Sequence, residues 1–456
     1  IADQTIALDI NAIPPAVRAR VEELLIDVVG LCVAARNTEY VKAVIAGVDS
    51  GGPATAIGHK TTYAPETAAM INGCAAHGED FDDTFEGGPV HSSAVIMPAV
   101  LAACERFGCD GTAALKGMVV GIEMLCRLSM VIPKSIHKAG FHPTSVLGAM
   151  AATLAVSTAM GLNRKQTVDA LGIAGSMASG IIEYLADGAW SKRLHAGWAA
   201  KIGIQAARFG QQGFLGPRTV FEGTHGFYYA FARNAAGDYS VLTEGFGTKW
   251  YTDVITFKPY ATGTMNQPYI DCALRLAKKG FAAEDVADVL CETAEGYVHR
   301  LWDPLRSKHR PANDYAAKFS APFNIAVAFV TGGAGFEAFS EATIQSTIDW
   351  WDGTMSTRLN DPKTGAYVII QQRLAELRLK LVARDRVFLR AAQADETLFT
   401  DATFLRVVTG EVGGARIVGI ENDDSFRGGI PFIDGLGVRG ATQKQGKAGE
   451  KMTNDE

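Results

Sequence analysis

The sequence predicts a mainly α protein, a long helical first part followed by a smaller α+β unit. Three observations carry this. Apolar residues recur at helical spacing from residue 15 to about 213, no β-rich pattern occurs before about residue 285, and the texture changes beyond Tyr269. At 456 residues the chain is long for one core, and a prior of roughly 150 residues per domain points to two units, one of them large.

The elements follow in order. After Pro14 and Pro15, the positions Val17, Val21, Leu24, Val28 and Cys32 define one face of a first helix, with proline in the first turn where its missing N–H costs nothing. Residues 65–78, 92–107, 111–131, 144–160, 163–185 and 193–213 read the same way, separated by Gly, Pro or Asn. Within them Val146–Leu162 is an uncharged run, but its 17 residues, rich in Ala, Gly, Ser and Thr, are short for a bilayer span and suit a buried helix packed through small side chains. A helix over Tyr269–Lys279 leads into VLCETAEGYVHRLW, whose alternation suggests a strand, and a further helix is expected around residues 318–331. From about residue 341 onward, including ARDRVFLRAAQ, the pattern is weakest, and the last 15 or so residues are expected to be mobile.

Hydrophobic residues make up 48% of the chain and charged residues 20%, a globular profile. A net charge of −6 gives no electrostatic reason to bind nucleic acid or an anionic membrane, so an anionic substrate would need positive charge supplied locally. The seven cysteines are scattered, with no CxxC pair and no zinc spacing, which fits reduced thiols; with no charged-then-apolar leader at the start, a cytoplasmic location is expected. All nine histidines lie at or before residue 309, so any histidine chemistry belongs to the first two thirds.

The stretch EDFDDTFEGGPVH, Glu79–His91, sets five carboxylates before one histidine. As a calcium loop starting at Asp80 it fails, because the sixth position is Phe85 and the twelfth His91. A phosphatase-type DxDxT reading of Asp80, Asp82 and Thr84 needs a preceding buried strand, and INGCAAHGE is helical in pattern. A solvated acidic loop is the plain alternative, but Phe81 and Phe85 alternate with the acids and an apolar helix follows His91, which suits a pinned platform for a carboxylate and an imidazole. GFHPTS places His142 at the entrance of the small-residue helix; WSKRLHAGWAAKIG groups Lys192, Arg193, His195 and Lys201; TFKPYATGTMNQPYID carries Lys258 before a proline. A lone histidine before a helix is usually structural and a Lys-Arg pair usually solvated; together the segments suggest converging loops.

HGEDFDDTF with its following histidine, GFHPTS, SKRLHAGWAAKIG, KPY and AKFSAPF occur in that order and resemble the MmgE/PrpD family, which includes 2-methylcitrate dehydratases, cis-aconitate decarboxylases and iminodisuccinate epimerases. The resemblance covers about residues 10–335. It implies a large all-helical domain, here 1–262, and a smaller α+β lid domain, 263–390, with residues from about 390 allowed to return to the large domain. It further implies a homodimer and a cleft site without metal or other cofactor that binds a small polycarboxylate. Carried over, it puts Asp80, Thr84, His91, His142, Lys192 and Lys258 in the pocket; Asp80, His91, His142 and Lys192 are expected to serve catalysis and Thr84 and Lys258, joined by Arg193 and Gln267 from this chain's own pattern, substrate binding, while Asp82, Asp83 and Glu86 order the loop or hold His91 and Lys192. The shared first step is loss of a proton or carboxylate from a carbon beside a carboxylate, which needs a base of matched pKa and cations where enediolate charge develops. His91 and His142 suit the first need and the lysines the second, although a desolvated lysine can also act as base. Lys192 and Lys258 are expected to hold substrate carboxylates from opposite sides of the cleft.

Departures from the family pattern bear on the activity. Decarboxylases carry a histidine five residues after the lysine matching Lys258, where this chain has Gly263; Phe323 stands where that branch has a tyrosine; and Gln267 lies in a segment where many dehydratases have a histidine. With these donors gone, and one extra residue between Thr84 and His91, the sequence favours an epimerase of the iminodisuccinate type, with a dehydratase or decarboxylase of a tricarboxylic acid as the alternative.

Overall fold

The computed structural model of the protein describes residues 1–280, 290–291, 293, 295–351, 405–412 and 415–422. ARDRVFLRAAQ and the C-terminal tail lie outside them. The chain is mainly α, as its periodicity predicts. Helices α1 (Ala2–Ala7), α2 (Pro15–Ala35) and α3 (Glu39–Ala46) precede a short hairpin of β1 (Ala54–Thr55) and β2 (Thr62–Tyr63). Then come α4 (Pro65–Gly78), α5 (Ser93–Phe107), α6 (Gly111–Met130), the single turn α7 (Ser135–Lys138), α8 (Pro143–Ala159), α9 (Arg164–Met177), α10 (Ser191–Gln211) and α11 (Phe227–Ala232). The helix expected over 163–185 stops at Met177: Ala178 turns extended, and the loop beyond it is tied to the entrance of α8 by His142 N–H donating to the Gly180 carbonyl at 2.9 Å and Ile182 N–H to that of Gly140 at 3.1 Å.

The first core is built by close approach of backbones. An ideal Cβ on Gly73 of α4 would lie 2.6 Å from Cα of Gly197, and one on Gly197 of α10 would lie 2.1 Å from the Met70 carbonyl oxygen. Any side chain at either position would push the helices apart. Because these helices touch at their glycines, the C-terminal end of α4 is delivered to the N-terminal end of α10, where the candidate residues lie. Helix α8 is buried on nearly every face, as its run of small residues implies. No described helix is long and apolar enough to cross a membrane.

The second part comprises α12 (Gln267–Lys278), β3 (Leu290–Cys291), α13 (Glu295–Leu301), α14 (Leu305–His309), α15 (Asp314–Lys318), α16 (Ala321–Thr331) and α17 (Glu341–Trp351). Of the strand expected across VLCETAEGYVHRLW, the described residues show Leu290–Cys291. Helix α13 follows instead, because Val298, Leu301 and Trp302 fall at i, i+3 and i+4, and the last two bury completely. Strands β4 (Leu405–Val412) and β5 (Ala415–Asn422) pair antiparallel, and β5 runs parallel to β3, so these residues beyond 390 pair with the second part of the chain.

Among the described residues, buried apolar side chains form two clusters, one running from Ile13 to Ile255 and the other from Ala261 to Ile344. Phe81, from the acidic stretch, packs on both, and its ring meets that of Phe336 edge-on at 5.4 Å.

Candidate active site

The acidic stretch is an interior loop. Asp80, Asp82 and Asp83 are all buried, and Phe85 is sunk into the first core with its ring 6.1 Å from that of Tyr251. Helix α4 ends at Gly78, and Asp80 adopts a left-handed backbone with φ of 55°, a conformation that Asp tolerates better than most residues. That turn directs the Asp80 carboxylate between two lysines. One oxygen is bound by Lys192 from the first turn of α10, and the other by Lys258 at 2.9 Å, whose ammonium also donates to the Asp80 carbonyl at 3.1 Å and lies 3.5 Å from Asp82. The lysines expected on opposite sides of a cleft therefore converge on one carboxylate. Burial alone would keep Asp80 protonated, but Lys192 and Lys258 overcome it and hold the carboxylate ionised. Lys192 is depressed, by burial and by the charge of Lys258 against the opposing pull of Asp80, whereas Lys258 is raised because Asp80 and Asp82 outweigh its burial. Of the two, Lys192 is the readier to give up a proton.

Lys258 is held in place from the first core. Glu123, buried on α6 and paired with Arg127 at 2.7 Å, accepts the backbone N–H groups of Tyr251 and Thr252 at 2.9 and 3.1 Å, fixing the start of the segment that leads to the lysine. Thr84 and Thr256 then exchange backbone hydrogen bonds at 2.9 and 3.0 Å, two residues before Lys258. Thr84 thus enters the site through its backbone. Asp83 caps α5, accepting from the N–H groups of Ser92 at 3.0 Å and Ser93 at 2.9 Å; burial and the neighbouring Asp82 raise its pKa to about 6.

Four imidazoles lie beside this cluster. His77, at the last turn of α4, shares its Nδ1 with Asp82 at 2.6 Å; His91 Nδ1 lies 2.6 Å from the Asp83 carbonyl; His142 and His195 approach through their Nδ1 atoms at 3.2 Å. The His77 ring lies 5.2 Å from that of His91 and 5.5 Å from that of His142. The expectation that His91 and His142 titrate near neutrality is corrected here. Burial, opposed for His91 chiefly by Asp82, lowers its pKa to about 3, and burial with His77 and His195 pushes His142 well below the usual range. Both imidazoles are neutral near pH 7. An anion placed among them would raise both values.

The remaining candidates stand apart. Arg193 pairs with Asp314 and lies 4.4 Å over the Tyr40 ring. Gln267 opens α12 with its Nε2 buried and without a hydrogen-bond partner, and no hydrogen bond or ion pair joins it to the Asp80 cluster. His77 and Lys318 were missed as site residues. Their signals were present in HGEDFDD, with histidine and aspartate five apart, and in AKFSAPF; Lys318 is buried and pairs with Glu79 at 3.1 Å. At position 263, an ideal Cβ would lie 2.8 Å from Phe319 Cε1, so the Phe319 ring occupies the space a side chain there would enter. That ring also lies 5.2 Å from the Lys192 ammonium. Among the described residues no group of three His, Cys, Asp or Glu side chains is arranged to hold a metal ion.

A buried carboxylate shared by two lysines, with the neutral imidazoles of His91 and His142 close by, lies beside a residue, Phe81, that packs on both apolar cores, an arrangement able to serve acid–base chemistry on a carbon acid. The chain belongs to the MmgE/PrpD family: the family's N-terminal domain matches residues 1–239 and its C-terminal domain residues 260–351. It is 25% identical to a cis-aconitate decarboxylase-like protein of Aspergillus oryzae over 74% of each chain, and 27% identical to the cis-aconitate decarboxylase of Aspergillus terreus over 72% of this chain and 71% of that one. It is also 28% identical to human cis-aconitate decarboxylase over 61% of this chain and 58% of its relative.

Proposed function

We propose that this protein is a lyase that removes carboxylate or water from a small tricarboxylic acid of the cis-aconitate type. The observation that carries this reading is the Asp80 carboxylate clamped by Lys192 and Lys258 beside His91 and His142, in a chain whose curated relatives include cis-aconitate decarboxylases. When a proton leaves a carbon beside a carboxylate, or CO2 leaves a carbon joined to a C=C bond that is conjugated with a carboxylate, the electron pair passes, in the second case through the double bond, into that carboxylate as an enediolate. Lys192 and Lys258 are the ammonium groups available to meet the growing charge, and such fixed donors in a dry site typically contribute ~3 kcal/mol each to the barrier. The proton is taken or returned by an imidazole. His91 and His142 are neutral near pH 7, and a bound polycarboxylate raises their affinity for a proton, so substrate itself poises the acid. This reading replaces the epimerase expectation as the leading one.

One observation supports the epimerase as a second reading. Phe319 fills the space at Gly263, where the decarboxylase pattern has a histidine, and an epimerase needs no donor for a leaving group. Incubation with cis-aconitate, 2-methylcitrate and iminodisuccinate in D2O, followed by 1H NMR, separates the two. Release of CO2 or water supports the lyase; deuterium at an α-carbon without either loss supports the epimerase and overturns the lyase.

A further inference from the structure

The lysines of the centre are already paired with carboxylates. Asp80 and Asp82 face Lys192 and Lys258, Arg193 is engaged by Asp314, and Lys318 by Glu79. A substrate bearing two or three carboxylates therefore needs a cation that the protein has not already paired. Arg300, on α13, is one. Among the described residues it has no carboxylate partner, and its Nη2 lies 3.3 Å from Nε2 of His137 on α7, the short helix that directly precedes the turn carrying His142.

Its surroundings hold a second unanswered group. Lys308 donates to the Arg300 carbonyl at 2.6 Å and to the Phe319 carbonyl at 2.8 Å, tying the end of α13 to the segment that carries Tyr315 and Phe319. Tyr315 is 4% exposed, and its hydroxyl is buried without a hydrogen-bond partner. Leaving such a group unpaired costs roughly 1–3 kcal/mol. The Tyr315 ring lies 5.8 Å from the Lys192 ammonium and 5.9 Å from the ring of Tyr184, which in turn lies 6.1 Å from His142 and 5.7 Å from His195. The phenol is thus part of the wall that faces the acid–base centre. Burial, Tyr184 and Asp80 raise its pKa while Arg300 acts against them, so the guanidinium is within electrostatic reach of the same place. His137 is kept neutral, at about 4, by burial and by Arg300, and a neutral imidazole can accept from the guanidinium and orient it.

We propose that Arg300 and Tyr315 form a carboxylate subsite, in which the guanidinium pairs with the substrate carboxylate farthest from the reacting carbon and the Tyr315 hydroxyl donates to the same group. This rests on the polycarboxylate reading above and deepens it by naming the residues that recognise the extra carboxylate.

The test is calorimetric titration of the full chain with tricarballylate, an unreactive tricarboxylate, and with succinate, which lacks one carboxylate. Arg300→Gln should weaken tricarballylate by roughly 30-fold and succinate by much less, with Arg300→Lys recovering part of the loss. Tyr315→Phe keeps the ring and its stacking, so it should weaken tricarballylate about 10-fold with an unchanged melting temperature. Folded Arg300→Gln and Tyr315→Phe proteins that bind tricarballylate as the wild type does would overturn the subsite and leave the polycarboxylate reading standing. A wild-type protein that binds neither acid would overturn both.

Discussion

The loop Asp80–Asp83 and the segment from α13 to α15 differ in how their charges are answered. In the first, every carboxylate has buried partners: Asp80 two lysines, Asp82 the His77 imidazole, Asp83 the start of α5. In the second, Arg300 has a neutral imidazole and no carboxylate among the described residues, and the Tyr315 hydroxyl has no hydrogen-bond partner. Ion pairs to buried cations and imidazoles hold the first region in place, although Asp82 Oδ1 and His77 Nε2 make no hydrogen bond there. Groups without partners mark where a ligand can supply them. On the proposals above, the first region is the reacting centre and the second the wall that recognises substrate.

The largest effect should come from breaking the paired loop. Asp80→Asn keeps the shape and tolerates the left-handed backbone, but leaves two buried ammonium groups facing each other. A loss of about 3 kcal/mol in chemical denaturation is expected, and a variant as stable as the wild type would show that the lysines find other partners. Lys258→Met should come next, lowering kcat about 100-fold, with a smaller rise in KM because its contact strengthens as the enediolate forms. Equal kcat values would remove Lys258 from the chemistry.

The pairings in this centre were the least legible feature of the sequence. Helical periodicity and punctuation located most helices to within a residue or two, since spacing of apolar residues is a local signal: Pro65–Gly78 and Pro143–Ala159 followed directly. Asp80 meets Lys192 across 112 positions and Lys258 across 178, and nothing local records that both reach the same carboxylate. Ordered motifs identified the family, but they place residues in a pocket without saying which are already bound to each other. The later part of VLCETAEGYVHRLW was misread for the opposite reason, because the apolar spacing of the short helix Glu295–Leu301 can mimic alternation.

Smaller effects concern pH. His195 is held at about 4, chiefly by burial, below the ~6.5 of a free imidazole. Its folded pKa is depressed, so the stability it contributes as a neutral ring is present above about 6.5 and is lost as pH falls towards 4. The stability difference between the wild type and His195→Asn should therefore shrink by about 1–2 kcal/mol from pH 7.5 to 4.5; a difference independent of pH would contradict it. The smallest effect is expected at Glu86, whose pKa burial raises to about 7. With its folded pKa above the unfolded value, stability is lost as pH rises through 7, so Glu86→Gln should gain about 1 kcal/mol at pH 8, discounted for its partial exposure, and nothing at pH 4. Equal gains at both values would place the cause elsewhere.

Lys192 and Arg193 are sequence neighbours with different partners, one bound to Asp80 and the other to Asp314. Steady-state turnover of cis-aconitate by Lys192→Met and Arg193→Met, each checked for folding, tests most directly whether the Asp80 cluster is the reacting centre. The account predicts a fall in kcat of about 1,000-fold for Lys192→Met and less than about 5-fold for Arg193→Met. Comparable losses in both, or a larger loss in Arg193→Met, would contradict it.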